Sequence, residues 1–289
     1  MNYEGNIIRP PSEANSIILQ VTVGCSHNKC TFCGAYKGVR FRIKDAATVS
    51  ADIAFAARYC RNQKRVFLAD GDALIIPSAR LEEIFTSIRQ SLPWVNRISL
   101  YGNAKSILRK TGAELKRLRE LGLDRVYMGL ESGHAPTLKK IRKGVSVEQM
   151  IEAAEMVREA GLFLSVTVLL GIAGAAQSAL HARETGRVLT RMQPNQIAAL
   201  TLMLLENTPL HSDARTGSFQ QPDHAMILEE LRILVKSINL PRVQFQANHA
   251  SNYLPISGRL QRDREMILGI IADGLSGRRH LKAEYQRAL

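Results

Sequence analysis

Three of the chain's four cysteines lie within nine residues of one another, in the segment GCSHNKCTFCGAY (24–36). Cys25, Cys30 and Cys33 follow the apolar run SIILQVTVG (16–24), which predicts a buried strand. Four cysteines in a chain of 289 residues are too few for a disulfide framework. The clustered thiols therefore indicate a metal site or redox chemistry in a loop that follows a strand.

Four kinds of site fit parts of this C-x4-C-x2-C pattern. A structural zinc site needs four ligands, and His27 is badly placed to be the fourth because it lies between two of the cysteines. A dithiol made by Cys30 and Cys33 leaves Cys25 unexplained. A plant-type [2Fe–2S] centre would take Cys60 as its fourth ligand, but Cys60 falls on the apolar face of a predicted helix, where cysteine is usually a small hydrophobic residue. A [4Fe–4S] cluster on three thiolates leaves one iron open to bind another molecule.

The composition is that of a folded globular protein with a strong basic excess. The chain is 45% hydrophobic and 22% charged, and its formal net charge is +13. Such a charge attracts anionic partners, among them nucleic acid, an anionic small molecule or an acidic redox protein. The N-terminus lacks the features of a secretory signal, and the longest apolar stretch, 162–176, is shorter than a membrane span. We expect a cytoplasmic protein with no membrane contact.

Short apolar runs alternate with helical patterns along most of the chain. The runs that predict strands are 16–24, 65–71, 97–102, 125–130, 163–171 and 196–205. The patterns that predict helices are 49–60, 78–92, 111–121, 147–160, 177–192 and 223–238. Since several runs are continuously apolar, the sequence predicts a parallel α/β sheet covered on both faces, either open and doubly wound or closed into a complete or partial barrel.

Glycine-containing or polar turns follow several of the predicted strands, at the sheet edge where α/β proteins place their chemistry. They are LADGDALIIP (68–77), GLESG (129–133), LLGIAG (169–174) and LLENTPLH (204–211). Each turn alone is a common strand-to-helix connection. In this order behind the cysteine loop, across residues 16–210, they resemble the radical SAM superfamily, with a core of the coproporphyrinogen-dehydrogenase-like or elongator-like type.

The resemblance implies a fold and a set of site residues. The fold is a partial (βα)6 TIM-like barrel in residues 1–215, with residues 216–289 as a C-terminal α/β extension packed on it. The implied ligands of a [4Fe–4S] cluster are Cys25, Cys30 and Cys33. The implied contacts to S-adenosylmethionine (SAM) are Phe32, Gly71, Asp72, Glu131, Gly171, Ile172 and Gly174. The family's usual spacing is C-x3-C-x2-C, and this chain has one residue more between the first two cysteines.

The resemblance also implies an activity. One electron passes from the cluster to SAM, which cleaves to methionine and a 5′-deoxyadenosyl radical that abstracts hydrogen from a substrate. The electron would come from a low-potential donor of the flavodoxin or ferredoxin type. Since only Cys60 is left over, we expect a single cluster. We favour an anionic small-molecule substrate over RNA or protein, because aromatic residues make up only 6% of the chain and no RNA-binding module is recognisable. An iron–sulfur electron carrier is the alternative outside this class.

The segment NHASNYLP (248–255) is rich in polar side chains that follow an apolar run. Tyr253 or His249 could pass a proton to or from a substrate as catalytic residues. The same segment could instead be a turn whose asparagines hydrogen-bond the backbone. Tyr101 and Asn103, which follow the third predicted strand, could face the same cavity.

Overall fold

The computed structural model describes residues 1–288, in which strands and helices alternate as the sequence predicts. The strands are β1 (Ile17–Gln20), β2 (Thr22–Val23), β3 (Arg42–Ile43), β4 (Arg65–Ala69), β5 (Arg97–Tyr101), β6 (Leu123–Glu131), β7 (Phe163–Leu170), β8 (Gln196–Thr201), β9 (Val243–Ala247) and β10 (Ile256–Leu260). The helices are α1 (Ala46–Tyr59), α2 (Ser78–Ser91), α3 (Ala104–Ile107), α4 (Gly112–Glu120), α5 (Ala135–Lys140), α6 (Val147–Glu159), α7 (Ser178–Met192), α8 (Pro209–Arg215), α9 (His224–Ser237) and α10 (Arg264–Leu275).

The strands form a mostly parallel α/β sheet of the partial-barrel kind. The strand order is β1-β4-β5-β6-β7-β8-β9-β10, and within residues 1–288 no pairing joins β1 to β10. The pairs β1–β4, β4–β5, β5–β6, β7–β8 and β8–β9 are parallel, whereas β9–β10 is antiparallel. The predicted fold class is confirmed.

The chain divides into two compact units. The first comprises Met1–Asn28, Ala35–Met128 and Glu152–Leu164. The second comprises Lys29–Gly34, Gly129–Ile151 and the chain from Ser165 onward. The expected division between residues 1–215 and 216–289 stays a prediction.

Continuous burial along the strands and helical spacing of apolar residues explain why these segments form these elements. Val66 and Leu68 of β4 are fully buried, as are Ile98 and Leu100 of β5, which pair with them in register. Helix α2 buries a stripe made by Leu81, Ile84, Phe85 and Ile88 at the spacing of an amphipathic helix. None of the helices in the described residues combines the length and apolar character needed to span a bilayer.

The structure differs from the sequence prediction at both ends of the sheet. The first predicted strand, 16–24, is interrupted at Val21, after which β2 pairs antiparallel with β3. The apolar period continues through this break, because Val21 is itself buried, so the sequence pattern does not reveal it. At the other end β10 adds an antiparallel strand at 256–260, just after the polar segment 248–255, where the sequence predicts no strand.

Cys60 lies at the end of α1 as its C-capping residue. Its backbone N–H donates to the Ala56 carbonyl at 2.9 Å, and its side chain is half-buried. Val49, Ile53 and Ala56 form the buried face of this helix. Cys60 therefore lies at the C-terminal end of α1, one turn beyond Ala56, the last residue of the buried face.

Candidate functional site

The cysteine loop follows β2 and contributes residues to both compact units. Cys25 belongs to the first unit, whereas Cys30 and Cys33 belong to the second. All three side chains are half-buried, and so is that of Phe32. The two parts of the loop are held by different sets of contacts.

Asp70, the residue after β4, anchors the first part of the loop. Its Oδ2 accepts a hydrogen bond from the backbone N–H of Gly24 at 3.1 Å and another from Nε2 of Gln20 at 2.9 Å. Its Oδ1 accepts from the Tyr36 hydroxyl at 3.4 Å. Burial raises the pKa of the Asp70 carboxyl, and these donors partly offset the rise. One carboxylate thus contacts both the first and the last residue of the segment 24–36.

Sequence reasoning missed Asp70 and selected its neighbours Gly71 and Asp72. The available signal was its position, because Asp70 is the first polar residue after the buried run 66–69. A carboxylate that is 1% exposed needs buried donors, and backbone N–H groups of an adjacent loop are such donors.

Gly71 lies directly against Cys25. A Cβ atom at this position would lie 2.9 Å from Cys25 Cβ, 2.9 Å from Tyr36 Cε2 and 3.3 Å from Cys25 Sγ. The Gly71 N–H also donates to the Gly24 carbonyl at 3.3 Å. Only glycine allows the backbone after β4 to approach the first cysteine this closely.

Asp72 is the centre of a buried hydrogen-bond network in the first unit. Its Oδ2 accepts from Ser26 Oγ, from Asn103 Nδ2 at 2.6 Å and from Ser106 Oγ at 2.6 Å. Its Oδ1 accepts from the Asn103 N–H at 3.1 Å. Burial raises the pKa of the Asp72 carboxyl, whereas the hydroxyl donors and the Lys110 charge oppose the rise. The carboxylate, which is 0% exposed, therefore joins the cysteine loop to the end of β5. A SAM contact by Asp72 stays a prediction.

Replacing Asp72 with asparagine should destabilise the protein even before any cofactor is bound. An amide presents only one oxygen to four donors, and a hydrogen bond to a charged group contributes about 1.5–3 kcal/mol. We expect the free energy of unfolding of the apoprotein, measured in urea, to fall by about 2 kcal/mol or more.

Asp124→Asn is the matched control, since Asp124 is exposed on β6. The control should leave the urea midpoint unchanged. An Asp72→Asn apoprotein as stable as this control would show that the network contributes nothing to folding.

A second set of contacts, all within the second unit, holds the CxxC part of the loop. The Thr31 N–H donates to the Ile141 carbonyl, and the Leu210 N–H donates to the Thr31 carbonyl, both at 3.0 Å. Asn207 Nδ2 donates to the Gly34 carbonyl at 3.0 Å. Asn207 and Leu210 belong to the turn LLENTPLH, which the sequence analysis singled out without a role. This turn positions the backbone that carries Cys30 and Cys33.

Glu131 ends β6 in a conformation that is unusual for a residue with a side chain. Its φ is +63°, in the left-handed region, and its Oε1 accepts from Lys143 Nζ at 2.9 Å. A Cβ atom on Gly129 would lie 2.2 Å from the same Oε1, so the glycine makes room for the carboxylate. A strained backbone of this kind persists only where its surroundings hold it, and such residues often lie at functional sites.

The turn after β7 depends on two glycines with positive φ. Gly171 has φ +83° and Gly174 has φ +79°, values that favour glycine, and the Gly174 N–H donates to the Gly171 carbonyl at 3.1 Å. Ile172 between them is 1% exposed. A Cβ atom on Gly171 would lie 2.8 Å from Ile227 Cδ1. The turn is tightly packed, and its role in SAM binding stays a prediction.

Tyr253 has hydrogen-bond partners on both sides of its hydroxyl. The phenol donates to Glu284 Oε2 at 2.8 Å and accepts from Arg287 Nη1 at 2.7 Å, while the Arg287 guanidinium stacks on its ring. Burial raises the pKa of Tyr253 to about 12. A proton on this phenol is held more firmly than in water.

Asn252 ties the same segment to β8, whereas His249 contacts a residue within the segment. His249 Nδ1 accepts from the Ser251 N–H at 3.1 Å, and burial lowers the pKa of the imidazole. Asn252 accepts from Thr201 Oγ1 at 2.7 Å and donates to the Ala199 carbonyl at 2.8 Å, both on β8. These contacts favour the anchored-turn interpretation of 248–255, and catalysis by Tyr253 or His249 stays a prediction.

The two residues after β5 differ in their surroundings. Asn103 is the N-cap of α3 and belongs to the Asp72 network. Tyr101 packs edge-on against Phe67 and Tyr127, with ring centroids 5.2 and 5.9 Å apart. Asn103 therefore supports the cysteine loop, and Tyr101 belongs to an aromatic cluster of the first unit.

The donor chemistry of this site fits an iron–sulfur cluster. Three half-buried thiols in one loop are the ligands such clusters use, and a glycine packs against the first of them. In the part of the chain that the structure describes, no three Cys, His, Asp or Glu side chains are gathered at metal-binding distances. Assignment of Cys25, Cys30 and Cys33 as ligands stays a prediction.

Comparison with known proteins finds related sequences and folds. A GTP 3′,8-cyclase of Listeria monocytogenes is 27% identical over 161 residues, covering 54% of this chain and 46% of the cyclase. A tRNA uridine(34) acetyltransferase of Methanocaldococcus infernus is 23% identical over 137 residues, covering 45% of this chain and 26% of that enzyme. The chain thus spans less than half the length of these curated relatives.

Among solved structures, the coproporphyrinogen III oxidase HemN of Escherichia coli superposes with a TM-score of 0.56 at 13% identity. The match covers 76% of this chain and 51% of HemN, and it supports the predicted fold. The family model of the radical SAM superfamily matches residues 19–177, more than half of the chain and including the cysteine loop. This protein belongs to the radical SAM superfamily.

Proposed function

We propose that this radical SAM enzyme holds a [4Fe–4S] cluster on Cys25, Cys30 and Cys33 and acts on an anionic small molecule. Members of the superfamily use that cluster together with SAM. When bound, the two groups supply a radical that abstracts hydrogen from a substrate. The observation that carries the assignment is the packing of Gly71 against Cys25, with Asp70 and Asp72 fixing the same part of the loop.

The chain's own residues would orient the cofactors and exclude water. Asp70 and Asp72 hold the loop around Cys25, while Asn207 and Leu210 hold the loop around Cys30 and Cys33. Phe32, between the last two cysteines, is half-buried and would cover the cluster from solvent.

The residues proposed to contact SAM follow three strands. Gly71 and Asp72 follow β4, Glu131 ends β6, and the residues after β7 are Gly171, Ile172 and Gly174. The Glu131 carboxylate, paired with Lys143, would orient a polar group of the cofactor. The glycines at 171 and 174 would let the backbone approach the adenine side closely.

The net charge of +13 supports an anionic substrate, because a basic protein concentrates anions near its surface. One relative is named as a cyclase of GTP, which is an anionic small molecule. The same charge would favour an acidic, low-potential electron donor of the flavodoxin or ferredoxin type. We also propose a cytoplasmic location, where a reducing environment would keep the four cysteines as thiols.

Modification of RNA is the second candidate, since another relative is named as a tRNA-modifying enzyme. The two candidates differ in what should stimulate SAM cleavage. The reconstituted enzyme is given SAM and reductant together with panels of anionic, neutral and cationic small molecules, or with bulk tRNA, and release of 5′-deoxyadenosine is measured. The proposal predicts stimulation by members of the anionic panel only.

Binding of tRNA at two salt concentrations separates the candidates further. Contacts to phosphates release counterions, so an RNA-modifying enzyme should bind tRNA much more weakly at the higher concentration. Stimulation by tRNA alone, with that salt dependence, would replace the small-molecule proposal.

A further inference from the structure

A line of polar contacts joins the turn after β6 to the turn after β7, entirely within the second unit. Ser132 Oγ lies 2.8 Å from His181 Nδ1, and His181 Nε2 lies 3.3 Å from Glu230 Oε1. The same carboxylate oxygen accepts from the Gly171 N–H at 2.7 Å. At the other end, the His134 N–H donates to Ser132 Oγ at 3.0 Å. Backbone amides of both turns are thus connected through three side chains.

The donors and acceptors along this line are mutually consistent. Because Nε2 faces a carboxylate, the ring carries a proton on that nitrogen, and in the neutral imidazole Nδ1 is an acceptor. The Ser132 hydroxyl then donates to Nδ1, and its oxygen is free to accept from the His134 N–H. A single tautomer of His181 therefore satisfies every group on the line.

Because the three side chains are buried, the loss of any one of these contacts should lower the free energy of unfolding. Ser132 is 0% exposed, His181 2% and Glu230 1%. A buried carboxylate needs donors, and Glu230 has the Gly171 N–H, His181 Nε2 and, on its other oxygen, the Ser178 hydroxyl. Removing the carboxylate leaves these donors without an acceptor.

The turn after β6 also packs closely on α7, the helix that carries His181. The Gly133 N–H donates to Thr185 Oγ1 at 2.9 Å, and a Cβ atom on Gly133 would lie 2.6 Å from the Glu184 carbonyl oxygen. The left-handed Glu131 immediately precedes this clamped segment. A shift of α7 or α9 would thus move the backbone at both turns.

We infer that Glu230 and His181 are positioning residues that set the Glu131 and Gly171 turns and thereby determine the affinity for SAM. This inference rests on the proposed function, because it takes those turns as SAM contacts. It assigns to α9, which lies beyond the residues that match the family model, a role in the cofactor site. Glu230 touches neither cluster nor SAM in this account and acts through the backbone.

The first test is hydrogen exchange of the apoprotein, which needs no cofactor. In Glu230→Ala, peptides covering 129–134 and 169–174 should both exchange about tenfold faster than in the wild type, because the Gly171 N–H loses its acceptor and His181, which contacts Ser132, loses its carboxylate partner. Glu230→Gln keeps an acceptor for the Gly171 N–H and should restore protection at 169–174.

The matched control is Glu229→Ala, since Glu229 is the adjacent residue on the same helix and pairs with Arg232 near the surface. Its exchange should match that of the wild type at both turns. Glu230→Ala that exchanges like this control at both turns would overturn the inference.

The second test measures SAM binding by calorimetry on the cluster-loaded protein without reductant. Glu230→Ala and His181→Ala should weaken SAM binding about tenfold, with the iron content per chain unchanged. A purely structural role would lower the stability of these variants but leave the SAM affinity of the folded protein unchanged, which would also overturn the inference. Wild-type protein that loads a cluster but binds no SAM would contradict the proposed function, whatever the exchange experiment shows.

Discussion

Replacing Cys25, Cys30 or Cys33 singly with alanine is expected to abolish cluster binding, whereas Cys60→Ala is expected to retain it. Three thiolates are the minimum that holds a [4Fe–4S] cluster with one open iron, so the loss of one removes a third of the protein ligands. Iron and acid-labile sulfide per chain, measured after anaerobic reconstitution, should fall to background in each of the three variants.

Cys60→Ala is the matched control because it is also a half-buried cysteine of this chain. It caps α1 and should cost only about 1 kcal/mol of stability through lost packing. If Cys60→Ala also lost its iron, a four-ligand centre that includes Cys60 would have to replace the three-cysteine assignment.

Gly71→Ala is expected to have the largest effect of any substitution that leaves all the thiols in place. The added Cβ would lie 2.9 Å from both Cys25 Cβ and Tyr36 Cε2, closer than real Cβ atoms approach other atoms. Overpacking of this kind costs about 1–3 kcal/mol, which corresponds to about a fivefold to 150-fold weaker cluster affinity if the cost falls on the loop. The iron content at limiting iron and the visible spectrum of the cluster report this loss.

Gly269→Ala provides the control, because nothing lies within 4 Å of a Cβ at this exposed position of α10. Here alanine should raise the free energy of unfolding by up to about 1 kcal/mol, since it favours the helix more than glycine does. Gly71→Ala that binds iron as well as Gly269→Ala does would contradict the close packing of Gly71 on Cys25.

The sequence predicts most of the strands and helices because their signals are local. Buried strands such as β4 and β7 are continuous apolar runs, and α2 carries its apolar residues at helical spacing. The break at Val21 and the strand β10 escape prediction because they depend on pairing with distant segments, not on local periodicity.

The sequence predicts the superfamily and a set of candidate site residues, but not the residues that hold the cysteine loop and the turns in place. The cysteine cluster and the order of the turns behind it predict the superfamily, and the family match confirms that prediction. The sequence does not predict the roles of four residues, because each acts through a contact with a residue far away in the chain. These residues are Asp70, Asn207, His181 and Glu230. The sequence motif selects Asp72 as a SAM contact. In the structure its buried carboxylate accepts four hydrogen bonds from protein groups.

The role of the segment 248–255 also cannot be predicted from local sequence. Polar side chains in the segment 248–255 are compatible with both catalysis and anchoring, and composition does not distinguish the two. The partners that distinguish them, Glu284 and Arg287 for Tyr253, lie about thirty residues further along the chain. Only the folded structure brings these groups together.

The central claim, that this chain cleaves SAM reductively at a cluster held by the three loop cysteines, is tested most directly by one assay. The protein is reconstituted anaerobically with iron and sulfide, SAM and a low-potential reductant are added, and 5′-deoxyadenosine is quantified by mass spectrometry. We predict that 5′-deoxyadenosine forms with the wild type and with Cys60→Ala, and not with the Cys25, Cys30 or Cys33 variants. Wild-type protein that binds iron but releases no 5′-deoxyadenosine, with the electron paramagnetic resonance signal of a two-iron centre, would contradict the claim and indicate an electron carrier.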